Sequence, residues 1–332
     1  MKQSPPVQGQ RRSLLAAAAG LLMTPGARTA ERPAWPSRPI RLLVAGVAGG
    51  TGDRVARMLA DGLSRAWGQP VVVETRPGAS GVLATHELSQ SAPDGHTWLV
   101  APNSLLTETP HLMQLQRDLS RELAPLAELA SACLVLVAAP TLAPDGLPAL
   151  LAHVRAHPGR LSVASYSAGT ISHVLAVLLN RHAGLDLQHV GYKGSPQAHV
   201  DVLGGHVALM FDVLPSALPL LRAGRLKAYA VSSATRHPLL PEVPSFAELG
   251  LPQLEAAAWL GLWARPDSPP ATQTEARRLA LAWLGQPGVQ AGLRDMGLEP
   301  GVPSSTAQLA QRLAAEHAHI GALLRSIGFK PQ

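Results

Sequence analysis

Two stretches of the chain gather glycines, hydroxyls and a carboxylate where an apolar run gives way to a helical pattern. The first is Gly46-Val47-Ala48-Gly49-Gly50-Thr51-Gly52-Asp53. At a helix start the backbone N–H groups lack acceptors and attract an anion, and glycines let that anion approach the backbone. The run has no Gly-Lys-Ser/Thr, so it is not a P-loop. Its glycine spacing is not G-x-G-x-x-G, although Glu74 stands 22 residues after Gly52, where a ribose-binding carboxylate would stand. Two readings remain: a site for a small anion, or a plain tight turn. Asp53 suits either an N-cap or an acceptor for a ligand's hydroxyl or ammonium.

The second stretch is Ser165-Tyr166-Ser167-Ala168-Gly169. It is one residue away from the G-x-S-x-G nucleophile elbow, with Ser165 in place of the first glycine. A secreted serine hydrolase using Ser167 is therefore one reading, with Asp212 and His237 following in order. The elbow strains its nucleophile, and small flanking residues relieve that strain, so a serine at the first of them is awkward. Hydroxyls at a helix N-terminus equally make a carboxylate cradle, which is the preferred reading.

Other reactive side chains point to structure. The single Cys133 lies within the apolar run Ala132 to Ala139 and reads as buried. Of the 13 histidines, His153 and His157 stand one helical turn apart, but no third ligand follows at a metal-binding spacing. No cofactor is expected. The tryptophans are scattered and the arginines dispersed, which gives neither a base-stacking platform nor a basic stripe.

The elements that position these turns follow from periodicity. Strands are expected at Ile40–Gly46, Val71–Glu74 and Thr97–Ala101, with helices at 53–67 and 81–91 between them. That βαβαβ order predicts a parallel, helix-covered sheet. A second series begins with a strand at Leu134–Ala138, then a helix to about His157. Strands at 161–164, 188–191, 207–211 and 226–231 alternate with helices at 172–183, 196–203 and 215–223. The segment 236–244 reads as a connection. A strand at 259–264 and helices at 272–284, 289–296 and 305–326 close the chain, with Ser305 and Gln308 forming a capping box. The fold class expected is α/β, in two units joined by crossing segments.

Composition limits the function. The chain has 332 residues, 46% of them hydrophobic and only 4% aromatic, so its cores must be built from Leu, Val and Ala. Mean hydropathy is +0.12 and the pI about 10.1. The net charge of +6 would suit a nucleic acid, but four of the 28 basic residues and none of the 22 acidic ones lie in the first 30 positions. The remainder is nearly balanced, so no nucleic-acid partner is expected. Those 30 residues read as an export leader: Lys2, Arg11 and Arg12, an apolar run from Leu14 to Met23, then Pro25 and small residues to Ala30. The Arg11-Arg12 pair also fits a twin-arginine signal, so export to the periplasm by the Sec or the twin-arginine route is expected. The apolar run is too short for a membrane anchor.

An ordered set of motifs over residues 36–330 resembles the substrate-binding proteins of tripartite tricarboxylate transporters, the Bug-type periplasmic receptors. It comprises Trp35-Pro36-Ser37-Arg38-Pro39-Ile40-Arg41, Gly49 to Asp53, Gly68 to Ala79, Ala92-Pro93-Asp94-Gly95, Tyr192-Lys193-Gly194-Ser195 and Phe211 to Pro219. The resemblance implies a periplasmic-binding-protein architecture with hinged parallel and mixed sheets. Domain 1 would hold 36–135 plus 256–332, and domain 2 would hold 136–255. It implies a monomer that closes on a small carboxylate and delivers it to a membrane permease. On that pattern Val47, Gly49, Gly50, Thr51 and Asp53 bind from domain 1, with Asn103 at the same sheet edge. Ser165, Ser167, Gly169 and Thr170 cradle the carboxylate from domain 2, and Tyr192, Lys193, Gly194 and Asp212 line the far wall. One departure stands out. Val47-Ala48 replaces the Pro-Pro or aromatic-Pro pair usual before the glycines of the first loop.

Overall fold

Short apolar runs separated by glycine and proline turns build two sheets that share one long strand. The computed structural model describes residues 35–326 and 329–330; the expected leader lies outside them. In chain order the first half holds β1 (Ile40–Val44), α1 (Thr51–Trp67), β2 (Val71–Thr75), α2 (Val82–Gln90), β3 (Thr97–Pro102), α3 (Ser104–Thr107), α4 (Thr109–Leu112), β4 (Ala124–Ala138), α5 (Leu147–Ala156) and β5 (Ser162–Ser165). There follow α6 (Ile171–Ala183), β6 (Gln188–Gly191), α7 (Ser195–Leu203), β7 (Leu209–Val213), α8 (Leu214–Arg222), β8 (Lys227–Val231), β9 (Ala257–Ala264), α9 (Pro270–Leu284), α10 (Pro287–Asp295), β10 (Glu299–Pro300) and α11 (Thr306–Ser326).

The strand order is β2-β1-β3-β9-β4-β7-β5-β6, with β8 and β10 also paired to β4. β1 runs parallel to both β2 and β3, as the βαβαβ pattern requires. β9 is antiparallel to β3 and to β4, so the first sheet is mixed. In the second sheet β5 is parallel to β6 and β7, while β4 is antiparallel to β7 and β8. β4 is the shared element. It pairs with β9 up to Cys133 and with β7 from Leu134 onward. A second crossing is stapled there by Ser232, whose Oγ accepts from the Leu134 N–H at 2.8 Å and donates to the Ala256 carbonyl at 2.6 Å.

β4 has 15 residues, whereas periodicity marked only its last five. Pro125 and Glu128 break the apolar run in its first half, and bulges fall beside both. The carboxylate of Glu128 is buried and held by Arg312 Nη1 at 2.7 Å, which satisfies a charge that looked out of place in a strand. The short α3 and α4 were also unforeseen, being less than two turns each.

α1 illustrates the local rules. Val55, Ala56, Leu59, Ala60 and Leu63 form its buried stripe. It ends at Gly68, whose φ of 65° is left-handed and whose N–H reaches the Ser64 carbonyl. The expected capping box of α11 is present: Ser305 N–H to Gln308 Oε1 is 2.8 Å and Gln308 N–H to Ser305 Oγ is 3.1 Å.

Each lobe has its own core. Trp98, Leu42, Leu59 and Leu262 belong to the first, and Leu136, Leu175, Leu179 and Phe211 to the second. Leu112 of α4, with Ile320 and Leu324 of α11, also packs into the second core. α11 therefore serves both lobes, since its Leu313 joins a first-lobe cluster. No helix among the described residues is long and apolar enough to cross a membrane.

Candidate functional site

The ends of β1, β7 and β9 and the starts of α1 and α7 line a half-open cavity of about 140 Å³ between the lobes. Larger grooves exist, one of about 730 Å³ beside α11, but neither glycine-rich turn of the sequence lines it. The inner cavity is the candidate because both sheets present strand ends to it.

From the first turn come Gly46, Val47, Gly50, Thr51 and Gly52. Asp53 sits at the third helical position and bends back, so that its Oδ2 accepts the Gly49 N–H at 2.8 Å and the Arg57 Nε–H at 3.1 Å. This is a cap, not a wall of the cavity. It holds the glycine turn in place and leaves the N–H groups of Thr51 and Gly52 without an intrahelical acceptor. Gly49 is part of the same turn and stands outside the lining.

From the second lobe come Tyr166, Gly194, Ser195, Pro196, Val213 and Ser216. Gly194 has a φ of 146°, and a Cβ there would come within 2.8 Å of Val47 Cγ2. Only glycine fits this meeting of the lobes. Behind α7 lies Asp212, fully buried. It accepts from Ser195 Oγ at 2.5 Å, from the Val213 N–H at 2.9 Å and from His199 Nε2 at 2.7 Å. Ser195 and His199 are four residues apart on one helix, so both reach the same carboxylate.

The turn expected to cradle a carboxylate is arranged otherwise. Ser165 is buried, with its Oγ 2.8 Å from His189 Nε2. Thr170 donates to the Ser167 carbonyl at 2.7 Å, and the Gly169 N–H is used by His173 Nδ1 at 3.3 Å. Ser167 faces Ser80 of the other lobe, Oγ to Oγ at 3.1 Å. Ser80 also donates to the Ala168 carbonyl, and it occupies a left-handed φ of 54° unusual for serine. These residues join the lobes instead of facing the cavity. The remaining expected residues are also turned away. Tyr192 donates to Asp201 at 2.5 Å, and Lys193 is exposed. Asn103 is buried; its Oδ1 accepts the Trp259 N–H at 3.1 Å and its Nδ2 donates to Glu316 at 3.2 Å. It thus fixes Trp259, which lines the cavity floor with Ala130, Ala132 and Leu260.

The hydrolase reading is corrected by these positions. Ser167 Oγ meets Ser80 and donates to the Ala168 carbonyl, Asp212 is committed to Ser195 and His199, and His237 lines a different groove with Cys133 and Glu299. No triad forms. The dinucleotide reading also ends here, because Glu74 is paired with Arg41 and Arg76.

Among the described residues, no charged side chain lines the cavity. Arg54 is the nearest cation by sequence; its Nη2 donates to the Pro215 carbonyl at 2.8 Å across the lobes, and burial lowers its pKa. Thr51 and Ser216 meet Oγ1 to Oγ at 3.0 Å beside it. Burial keeps the Tyr166 phenol protonated by raising its pKa. Glu108, in the α3–α4 junction, is pushed up to about 7 by burial, against the hydrogen bond from Thr107. Tyr166, Ser195, Pro196, Ser216 and Trp259 were not singled out from sequence. Ser195 and Ser216 stand inside the quoted motifs, and the Ser195–His199 spacing was the available signal.

A family model described as "Tripartite tricarboxylate transporter family receptor" matches residues 55–329. Protein BugT of Bordetella pertussis is 37% identical over 238 residues, covering 71% of this chain and 73% of that one. Among solved structures, Rpa4515 of R. palustris with adipate gives a TM-score of 0.85 at 30% identity, covering 90% of this chain and 100% of that one. MatC from Rhodopseudomonas palustris with bound malate gives 0.82 at 29% identity, covering 87% and 99%.

Proposed function

The chain belongs to the tripartite tricarboxylate transporter receptor family, and we propose that it captures a small carboxylate between its lobes for a membrane permease. The observation that carries this reading is the neutral cavity at the start of α1. There Thr51 and Gly52, whose N–H groups have no intrahelical acceptor, line a half-open space shared with Gly194 and Ser195 of the other lobe. Such donors stabilise an anion without a counter-charge, because their dipoles are fixed by the helix. Adipate and malate in the two similar structures support a carboxylate as the ligand class.

The moving parts in this reading are the two lobes, dividing at Cys133/Leu134 and again near Ser232, with α11 lying across both. Ligand would bridge α1 and α7, and the closed form would be the signal a permease reads. The receptor acts in the periplasm after export of a leader, and as a monomer. A thermal-shift screen over mono-, di- and tricarboxylates tests the reading, since a ligand that binds only the folded state raises Tm. At least one carboxylate should raise Tm in a concentration-dependent way; no shift with any of them overturns the proposal.

A further inference from the structure

Apart from the cavity, the lobes also meet through a turn with an unusual backbone. Gly78, Ala79, Ser80 and Gly81 follow one another with φ of 121°, 44°, 54° and 96°. Glycine takes such values freely, whereas the Cβ atoms of Ala79 and Ser80 make them costly. The turn is seated on the first lobe. A Cβ on Gly81 would lie 3.0 Å from Ala45 Cβ and 3.2 Å from Leu105 Cδ2, and one on Gly78 would lie 2.9 Å from Leu83 Cδ1. Ala45 itself lines the cavity, so this turn packs directly against the binding turn.

The Ser80 hydroxyl reaches the second lobe. Its Oγ donates to the Ala168 carbonyl, meets Ser167 Oγ at 3.1 Å and lies 3.5 Å from the sulfur of Met113, whose side chain packs against the second core. A hydroxyl has one proton and a carbonyl only accepts, so the proton of Ser80 crosses between the lobes. The receiving turn is held on its own side. Thr109 donates to the Gly169 carbonyl at 2.7 Å, and Thr170 donates to the Ser167 carbonyl at 2.7 Å.

Ser80, Ser167 and Ala168 do not line the cavity. Their contacts join protein to protein and need no ligand. The Thr51–Ser216 contact across the same seam is different, since both residues line the cavity and lie within reach of a bound molecule. We propose that Ser80 is a ligand-independent latch: its hydroxyl holds the lobes together before a carboxylate arrives, and breaking that bond is the step that admits one. Opening hands both groups to water, so the latch holds the lobes only marginally and does not lock them.

The test is small-angle X-ray scattering of the full mature chain without ligand, compared with Ser80→Ala and Ser80→Gly. The unaltered chain should sit near the roughly 19 Å radius of gyration of a compact chain of this length. Both variants should exceed it by on the order of 1 Å, as parted lobes require. Circular dichroism reports that they are folded, and glycine takes the turn's φ without strain, so a misformed turn does not account for opening in Ser80→Gly. Equal radii in all three proteins overturn the proposal. Stopped-flow tryptophan fluorescence with adipate and malate reads the second half. The binding rate should level off at high ligand concentration, and the plateau should rise about fivefold to tenfold in either variant. A serine that only fills space would lower Tm and leave radius and plateau unchanged, which overturns the latch. The rate measurement rests on the carboxylate-receptor reading and the scattering does not. Failure of every carboxylate to bind would therefore strike that reading, and the radii alone would then decide the latch.

Discussion

The turn at Gly46–Asp53 and the turn at Ser165–Thr170 follow the same local plan, a strand end, a polar bend and a helix start, yet they do different work. The first uses the Gly49 and Gly50 N–H groups within the turn and leaves those of Thr51 and Gly52 free. Its one carboxylate, Asp53, is folded back as a cap, and its glycines lie along the cavity. The second consumes its own polar groups. Ser165 is bound to His189, Gly169 to His173, Thr170 to Ser167, and Ser167 reaches across to Ser80. A hydroxyl-rich helix start is thus no cradle when the hydroxyls have partners nearer than a ligand. What suits the first turn to the proposed carboxylate is that no side chain takes the N–H groups of Thr51 and Gly52.

The sharpest way to break this contrast is to crowd the second turn. Gly169 has a φ of 76°, and a Cβ there would lie 2.7 Å from Met113 Sδ. Gly169→Val should destabilise the protein by about 3 kcal/mol in urea unfolding. Acid should act on the same turn next. Burial lowers the His173 pKa to about 3 and the His189 pKa to about 4, from 6.5, and their rings stack 3.8 Å apart. Between pH 6.5 and about 4 the unfolded chain binds protons that the folded chain refuses. Stability is therefore full above pH 6.5 and lost as pH falls through that window. The loss should be about 2 kcal/mol after allowance for partial exposure, and His189→Gln should flatten the Tm–pH curve there.

The first turn should respond in the opposite sense. A Cβ on Gly52 meets nothing closer than Val44 Cγ1 at 3.5 Å. Gly52→Ala should therefore raise unfolding stability by about 0.5–1 kcal/mol through the helix backbone. The added methyl narrows the cavity, so ligand affinity should fall about tenfold. The smallest effects separate the two turns' donors. Thr51→Pro, which removes the N–H at the first helical position, should weaken carboxylate binding about fivefold, and Ser167→Ala should leave it within about twofold. Equal losses from both would remove the distinction between the turns.

Much of this architecture could be read in advance. The helical stripe of α1 and the Ser305–Gln308 cap are set by residues within one or two turns of each other, and local spacing reports such features directly. The first half of β4 escaped because its partner strand β9 lies more than a hundred residues on, and its charge is answered by Arg312. The site divides in the same way. Backbone-based candidates at Val47, Gly50, Thr51 and Gly194 do line the cavity. Side-chain candidates such as Ser165, Asn103 and Asp212 are turned toward His189, Glu316 and His199, partners that no local period announces. Sequence says where a hydroxyl stands on a turn; only the neighbours decide which way it points.

The placement of the first and last described residues has a practical consequence. Trp35 packs against the core of the first lobe, whereas α11 carries the other end across so that Phe329 packs against the core of the second. A change in the angle between the lobes that opens the cleft changes the distance between these two positions. A pair of fluorophores attached near Trp35 and Phe329 would form a ruler for the cleft, with no probe inserted into either sheet.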